Sequence, residues 1–347
     1  MTKLEEIIAA MIEAEGPMPI DRYMALCLGH PVHGYYMTRD PFGVLGDFTT
    51  APEISQVFGE LIGVWLINTW VALGSPSPFA LVELGPGRGT LMADILRVAK
   101  SMPEFAEAAQ AHLVETSPVL RQMQREKLGN VNWHDHVGTL PKMPCLIIAN
   151  EFFDALPVKQ FENRSGRWSE RCVGLGEGKL KLGMVPVVAR AGGEGVYETS
   201  PVSLAVAEDL GAHIAQHGGA ALVIDYGHLK SAAGDTLQAL HKHEFVSVLE
   251  SPGESDVTAH VDFEALANGF MAGGAELLPM LTQGQFLNAM GLEMRTAKLV
   301  AKLEGQAKAD FVAASTRLGD GAQMGNLFKV MAVAQKSRKP IYPFEGA

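Results

Sequence analysis

Short apolar runs recur along the chain at 80–84 (ALVEL), 111–115 (AHLVE), 131–134, 145–149 (CLIIA) and 220–225 (AALVID), with stretches of helical period between them. Runs that are apolar on every position suit strands buried on both faces, and helical crossovers between such strands make neighbours parallel. This alternation predicts an α/β fold with a Rossmann-like, doubly wound sheet. A further run, NLFKVMAVAQ at 327–336, is placed to close the sheet. Residues 157–200 break the pattern: apolar positions alternate there between turn signals at SG, EG and GG, which predicts an inserted antiparallel segment.

The N-terminal part reads as a helix (MTKLEEIIAAMIEAEG), a Gly- and Pro-rich loop over 30–52, and a long apolar helix over 54–74. The last is about long enough to span a bilayer. It carries Gln56, Glu60 and Asn68, however, and a mid-span glutamate is costly in lipid, so a buried helix is expected and no membrane span. Thr50 and Glu53, with Pro52 between them, have the spacing of a capping box for that helix. Gly46, Asp47 and Phe48 just upstream fit no cap and suggest a loop that folds over a cofactor, with Gly46, Asp47 and Thr50 as its candidate contacts. The expected organisation is a helical and lid region (1–78), a cofactor-binding domain (79–156 and 201–336), the insertion (157–200) and a tail (337–347).

Composition narrows the partners. Of 347 residues 47% are apolar and 19% charged, enough for a large core, and the net charge of −11 lacks the basic footprint that binding nucleic acid requires. Cys27, Cys145 and Cys172 are few, scattered and odd in number, which suits a reducing compartment. The acidic start resembles neither a secretory signal nor an Arg-rich presequence, so the cytoplasm is expected, or the mitochondrial matrix if a presequence was removed. His134 and His136, or His241 and His243, have no partner cluster with metal spacing, and no metal is expected.

The chemistry begins at LVELGPGRGTLMADIL, residues 81–96. A strand that turns at once into a helix needs glycines where φ is positive or a ligand comes close, and Gly85, Gly87 and Gly89 supply them. No Gly-Lys-Ser/Thr follows, which excludes a P-loop. The third glycine comes one residue too early for a dinucleotide fingerprint, and Glu83 would repel a pyrophosphate. S-adenosylmethionine carries an ammonium and a sulfonium and no phosphate, so the acid favours it. Glu115, at the end of the next run, stands where a Rossmann-like domain places the acid that accepts ribose hydroxyls, although it also precedes the helix-cap signal TSP. Asp135, after the third run, is the candidate for the adenine amino group.

In CLIIANEFFDALPV a buried run leads directly into Asn150, Glu151 and Asp154. If this strand neighbours the glycine loop, those residues face the transferable methyl; the competing reading is an Asn N-cap with acids in the first helical turn. IDYG at 224–227 and DVTAHVDF, with Asp256, Thr258, His260 and Asp262, follow the fifth strand and could line the same cleft.

HPVHGYY, GDFTTAPEISQVFGELIGVW, ELGPGRGTLM, ANEFFDALPV, IDYG and DVTAHVDF together resemble the MidA-like family of S-adenosylmethionine-dependent methyltransferases, whose mitochondrial members are complex I assembly factors. The resemblance runs in order from about residue 5 to 336. It implies a seven-strand methyltransferase sheet with an N-terminal helical part and an insertion. It also implies protein arginine methylation, linked in the eukaryotic relatives to symmetric dimethylation of a complex I subunit. Cofactor contacts then carry over to Glu83, Gly85, Gly87, Gly89 and Glu115, and acceptor contacts to Asn150, Glu151 and Asp154. A small-molecule amine methyltransferase and a non-catalytic assembly factor that keeps the fold are the alternatives.

Overall fold

The computed structural model describes residues 2–39, 50–188, 191–336 and 339–344. Its main element is a nine-stranded sheet. Strands β1 (Phe79–Leu84), β2 (Ala109–Val114), β3 (Asn132–His134), β4 (Cys145–Asn150), β5 (Gly219–His228), β6 (Glu276–Leu277) and β7 (Phe328–Ala334) lie in the spatial order β3-β2-β1-β4-β5-β7-β6. Two short strands, Val261–Asp262 and Leu281–Thr282, attach to β5 and β7. The first five strands are parallel, and β7 runs antiparallel to β5 and β6. The chain therefore reverses direction across the sheet between β1 and β4, where ligands of such sheets collect over the C-terminal strand ends.

Both sheet faces are covered. Leu81, Leu146, Ile148, Leu222 and Ile224 point into one layer of core; Ala80, Val82, Leu84, Ile147, Ala149, Ala221 and Val223 point into the other. Because side chains alternate along a strand, Glu83 and Asn150 emerge on the first face. They sit on adjacent strands, with Glu83 opposite Ile148.

Helices α1 (Lys3–Glu15) and α2 (Ile20–Gly29) pack elsewhere. Leu4, Ile8, Tyr23 and Met24 join Val158, Val173 and Val257 in a separate cluster. The segment 157–200 forms the expected antiparallel strands, Lys159–Arg164, Arg167–Gly176, Lys179–Pro186 and Gly195–Thr199. A two-residue strand of the N-terminal part joins them, with Met18 opposite Val173. Helix α2 is not among the elements expected from the sequence. Its signal is apolar residues at 20, 23, 24, 27 and 28, a helical stripe directly after Pro19.

The apolar helix is α3 (Gln56–Ala72), and among the described residues no helix is long and apolar enough to cross a membrane. Gly59 and Gly63 let it approach α4 (Thr90–Ala99), since a Cβ at either would lie 2.6 Å from Asp94 Cβ or 2.9 Å from Val98 Cβ. Glu60 is buried but bonded to Arg97 at 2.6 Å and Arg295 at 2.5 Å; burial pushes its pKa up, and the two guanidiniums outweigh this and hold it low.

The capping box is not formed. Thr50 precedes a separate turn, Ala51–Ile54, with no side-chain cap bond, and α3 starts at Ser55, whose hydroxyl accepts the Val57 N–H at 3.3 Å. Glu53 turns instead to α4, accepting the Thr90 hydroxyl and pairing with Arg88 at 3.7 Å. A charged carboxylate gains more from a cation and a hydroxyl than from the Thr50 backbone N–H.

Candidate functional site

At the end of β1 the chain bends through Gly85, Gly87 and Gly89 with φ of +59°, +52° and +74°. A Cβ at Gly85 would lie 3.0 Å from Phe152 Cδ2, so this turn and the segment after β4 are pressed together. Gly89 has another role. It is the left-handed N-cap of α4, and a Cβ there would crowd Leu128 of α5 (Pro118–Leu128) at 3.0 Å. Gly85 and Gly87 line two adjoining spaces, a cavity of about 1200 Å³ and a cleft of about 40 Å³.

The cleft is lined by Thr50, Glu83, Asn150 and Glu151 among others. Glu83 Oε2 and Asn150 Oδ1 are buried there without a hydrogen-bond partner. Such acceptors are costly to leave unsatisfied, so the pair is set to receive a donor. Burial raises the pKa of Glu83 to about 8, partly offset by the Met92 backbone N–H and by Lys127. The anionic Glu83 invoked from the sequence thus needs a cation beside it.

In the large cavity, Glu115 stands directly after β2. Its carboxylate accepts the Ser117 N–H at 2.8 Å and Gln124 Nε2 at 3.3 Å; burial raises its pKa, and these bonds counter the shift. Ser117 caps α5, so the cap expected at TSP and the cavity wall at Glu115 are one structure. Asp135 also lines the cavity, but its side chain is 76% exposed and pairs with Arg121 Nη2 at 2.7 Å.

Among the described residues no helix starts directly after β4, the next element being the strand Lys159–Arg164, which removes the N-cap reading of Asn150. Glu151 has φ of +50°, a left-handed conformation uncommon for a residue with a side chain. Its Oε1 accepts the Ala51 N–H and Asn150 Nδ2, each at 3.2 Å. Asp225, fully buried on β5, holds the following residues: its Oδ2 accepts the N–H groups of Phe152, Phe153 and Asp154 at 3.1–3.3 Å. Asp154 Oδ2 accepts the Tyr226 hydroxyl at 2.6 Å, while Asp154 Oδ1 is buried without a partner. Burial, then repulsion from Asp154, lifts Glu151 to about 7; burial lifts Asp154 against the Tyr226 bond. Asp225 is pushed well up by burial and by both other acids.

The structure thus brings together Thr50, Glu83, Gly85, Gly87, Glu115, Asp135, Asn150, Glu151 and Asp154 around two adjoining spaces. Gly46, Asp47 and Phe48 lie outside the described residues. Tyr226, part of the IDYG expected to line the cleft, does line the cavity, as does Tyr36, which was not singled out from the sequence. Tyr36, far upstream in HPVHGYY, had no chemical signal of its own.

A glycine bend at the sheet's reversal point, flanked by unpaired buried acceptors and clustered acids, defines a cofactor-dependent α/β enzyme. Residues 61–279 match the S-adenosyl-L-methionine-dependent methyltransferase family, and the chain belongs to it. It is 35% identical over 368 residues to the mitochondrial protein arginine methyltransferase NDUFAF7 of Danio rerio, covering 95% of this chain and 86% of the relative. The human protein of the same name is also 35% identical, over 94% of this chain and 82% of its own. A crystal structure from Burkholderia thailandensis, bound to S-adenosyl-homocysteine, superposes with a TM-score of 0.85 at 28% identity, covering 97% of this chain and 93% of that one.

Proposed function

We propose that this methyltransferase modifies arginine side chains of a protein acceptor, a complex I subunit in the first instance. The observation that carries this reading is the pair Glu151 and Asp154 beside the Gly85 and Gly87 bend, with Asp154 Oδ1 buried and unpaired. A guanidinium is a planar cation with five N–H donors and fits such a partner. The Danio and human relatives are named protein arginine methyltransferases, which supports the same acceptor. Their mitochondrial names support the matrix as the compartment, and three buried free thiols suit any reducing one.

The unpaired acceptors on Glu83 and Asn150 fit the ammonium of S-adenosylmethionine. Asn150 thereby moves from the acceptor side to the cofactor side. Gly85 and Gly87 would lie against the cofactor, Glu115 would take ribose hydroxyls and Asp135 the adenine edge. The cofactor supplies an activated methyl on a sulfonium. Asp154 orients the guanidinium, which lets proximity lower the barrier. The attacking nitrogen must also shed one proton, and Glu151, lifted to about 7, is matched to take it near neutral pH.

The order β3-β2-β1-β4-β5-β7-β6 supports a seven-strand methyltransferase sheet carrying two short additions. Around it the chain divides into a helical and lid region (1–78), the methyltransferase domain (79–156 and 201–336), the insertion (157–200) and a tail (337–347). Packing of α1 and α2 against the inserted strands supports treating those parts as one unit, which reaches the cavity through Ala25, Leu28 and Gly29 of α2.

The test is Glu151→Gln and Asp154→Asn, singly and together. Affinity for S-adenosylhomocysteine should stay within about threefold while labelled-methyl transfer into extract from cells lacking the protein falls by about 100-fold or more. Wild-type transfer in the double variant would overturn the clamp. A methylated small molecule with no labelled protein would favour an amine acceptor instead.

A further inference from the structure

Between Asp154 and helix α6 (Pro201–His217) the cavity has a stretch of wall that the reading above leaves unused. Ala155, Leu156 and Pro157 follow Asp154 directly and line the cavity. The Pro157 carbonyl accepts the Ser200 hydroxyl at 2.8 Å, and Ser200 is the N-cap of α6, its oxygen accepting the Ser203 N–H at 3.1 Å. The acid loop is therefore tied to the start of the helix. On α6, Val202, Ala205, Val206 and Asp209 line the same cavity, a spacing that puts them on one face. Ala207, Leu210 and Ile214, on another face, are buried with Phe263 and Phe270 and fix the helix in place. Val202 stands open at 44% exposed.

The strip lies within a short length of chain from the acid that would hold the arginine. Asp154 and Pro157 are three residues apart, at most about 11 Å of extended backbone, and an acceptor segment of five residues covers roughly 17 Å. The cavity of about 1200 Å³ exceeds the roughly 300–1,000 Å³ that encloses a drug-sized ligand such as S-adenosylmethionine, so a second occupant has room beside the cofactor. Charge says which kind. Asp154 stands at the near end of the strip with one buried, unpaired oxygen, and Asp209 stands exposed at the far end. Acids at both ends suit a cationic segment and disfavour nucleic acid or an anionic lipid surface. We propose that the strip from Ala155 to Val206 seats the acceptor protein's own chain beside its target arginine and selects an apolar side chain within about five residues of it; this rests on the arginine reading of the site. A small amine would reach Asp154 and leave the strip unused.

The experiment compares wild type, Val202→Arg, Val202→Ser and Met294→Arg in labelled-methyl transfer to a dilution series of extract from cells lacking the protein. Met294 is 76% exposed and lines neither space, so M294R controls for charge added away from the strip. Hydrolysed products are sorted into methylarginine, methyllysine and small molecules, S-adenosylhomocysteine affinity is measured calorimetrically, and each protein is sedimented at the assay concentration. The half-saturating extract concentration is expected to rise about tenfold in V202R and about threefold in V202S, with the limiting rate and cofactor affinity within about twofold and M294R like wild type. Once mass spectrometry has located the methylated arginine, serine at the acceptor's apolar positions within five residues of it should raise KM about tenfold for wild type and less for V202S. Methylarginine formed by V202R with the wild-type KM, or an equal rise in V202R and M294R, would overturn the strip and leave the arginine reading standing. If V202R does not fold, an unchanged KM in V202S overturns it. A wild-type dimer that V202R splits would give the strip to a second copy of this chain and overturn it as well. Wild type producing methyllysine or a methylated small molecule, and no methylarginine, overturns the arginine reading and this proposal together.

Discussion

Asp225 holds Asp154 from beneath: its Oδ2 accepts the Asp154 backbone N–H at 3.3 Å, together with those of Phe152 and Phe153. Its Oδ1 accepts the Tyr226 N–H at 3.0 Å. The acid loop is therefore shaped by a residue that does not itself reach the cavity.

Asp225→Ala leaves those donors buried and unpaired and should cost about 3 kcal/mol or more. Asp225→Asn can still turn its oxygen to the three N–H groups and loses only the bond at Tyr226, so about 1 kcal/mol is expected. Chemical denaturation of both variants tests this, and equal losses would show that the loop is held by other contacts.

Gly87→Val should abolish S-adenosylhomocysteine binding while the circular dichroism spectrum stays that of the wild type. At φ of +52° a β-branched side chain is strained, and it would stand between the bend and the ligand. Wild-type affinity by calorimetry would reduce the glycine bend to a turn.

Glu115→Gln should weaken cofactor binding by about 1.5–3 kcal/mol, the range for a charge-assisted hydrogen bond. The amide can still accept the Ser117 N–H, so the α5 cap survives and the melting temperature should change little. Unchanged affinity would leave Glu115 a capping residue alone.

Burial and the charge of Asp154 lift Glu151 from 4.5 to about 7. Folded protein therefore keeps this proton longer than unfolded protein does. The stabilisation is fully present below pH 4.5 and is lost as pH rises through about 7. Glu151→Gln should remove that part of the slope, making the ligand-free variant more stable than wild type at pH 8 by about 3 kcal/mol, one pKa unit being worth about 1.4. Asp225, which the charge of Glu151 pushes further up, should lose that part of its own shift in the variant, which acts in the same direction. Methyl transfer by the wild type should rise with pH over the same interval, as Glu151 becomes able to accept a proton. Parallel stability profiles for the two proteins would refute the shift.

Some of this protein was determined locally, by patterns a few residues long. Short apolar runs alternating with stretches of helical period suit strands covered on both faces, which made the α/β sheet and its crossovers legible. Glycines between a strand and a helix marked the bend at Gly85 and Gly87, and acids placed directly after strands marked Glu115, Glu151 and Asp154. The capping reading of Thr50 and Glu53 failed because spacing alone does not reveal a competing partner: Arg88 and Thr90 reach Glu53 only in the folded chain. Tertiary structure alone decided which acids share a wall. Tyr36 and Asp256 are separated by 220 residues, and Asp154 and Tyr226 by 72. Hydrogen bonds across such separations depend on how the sheet, the inserted strands and the N-terminal helices pack. The raised pKa of Glu151 has the same origin, since burial and a neighbouring charge exist only once those elements have closed around it.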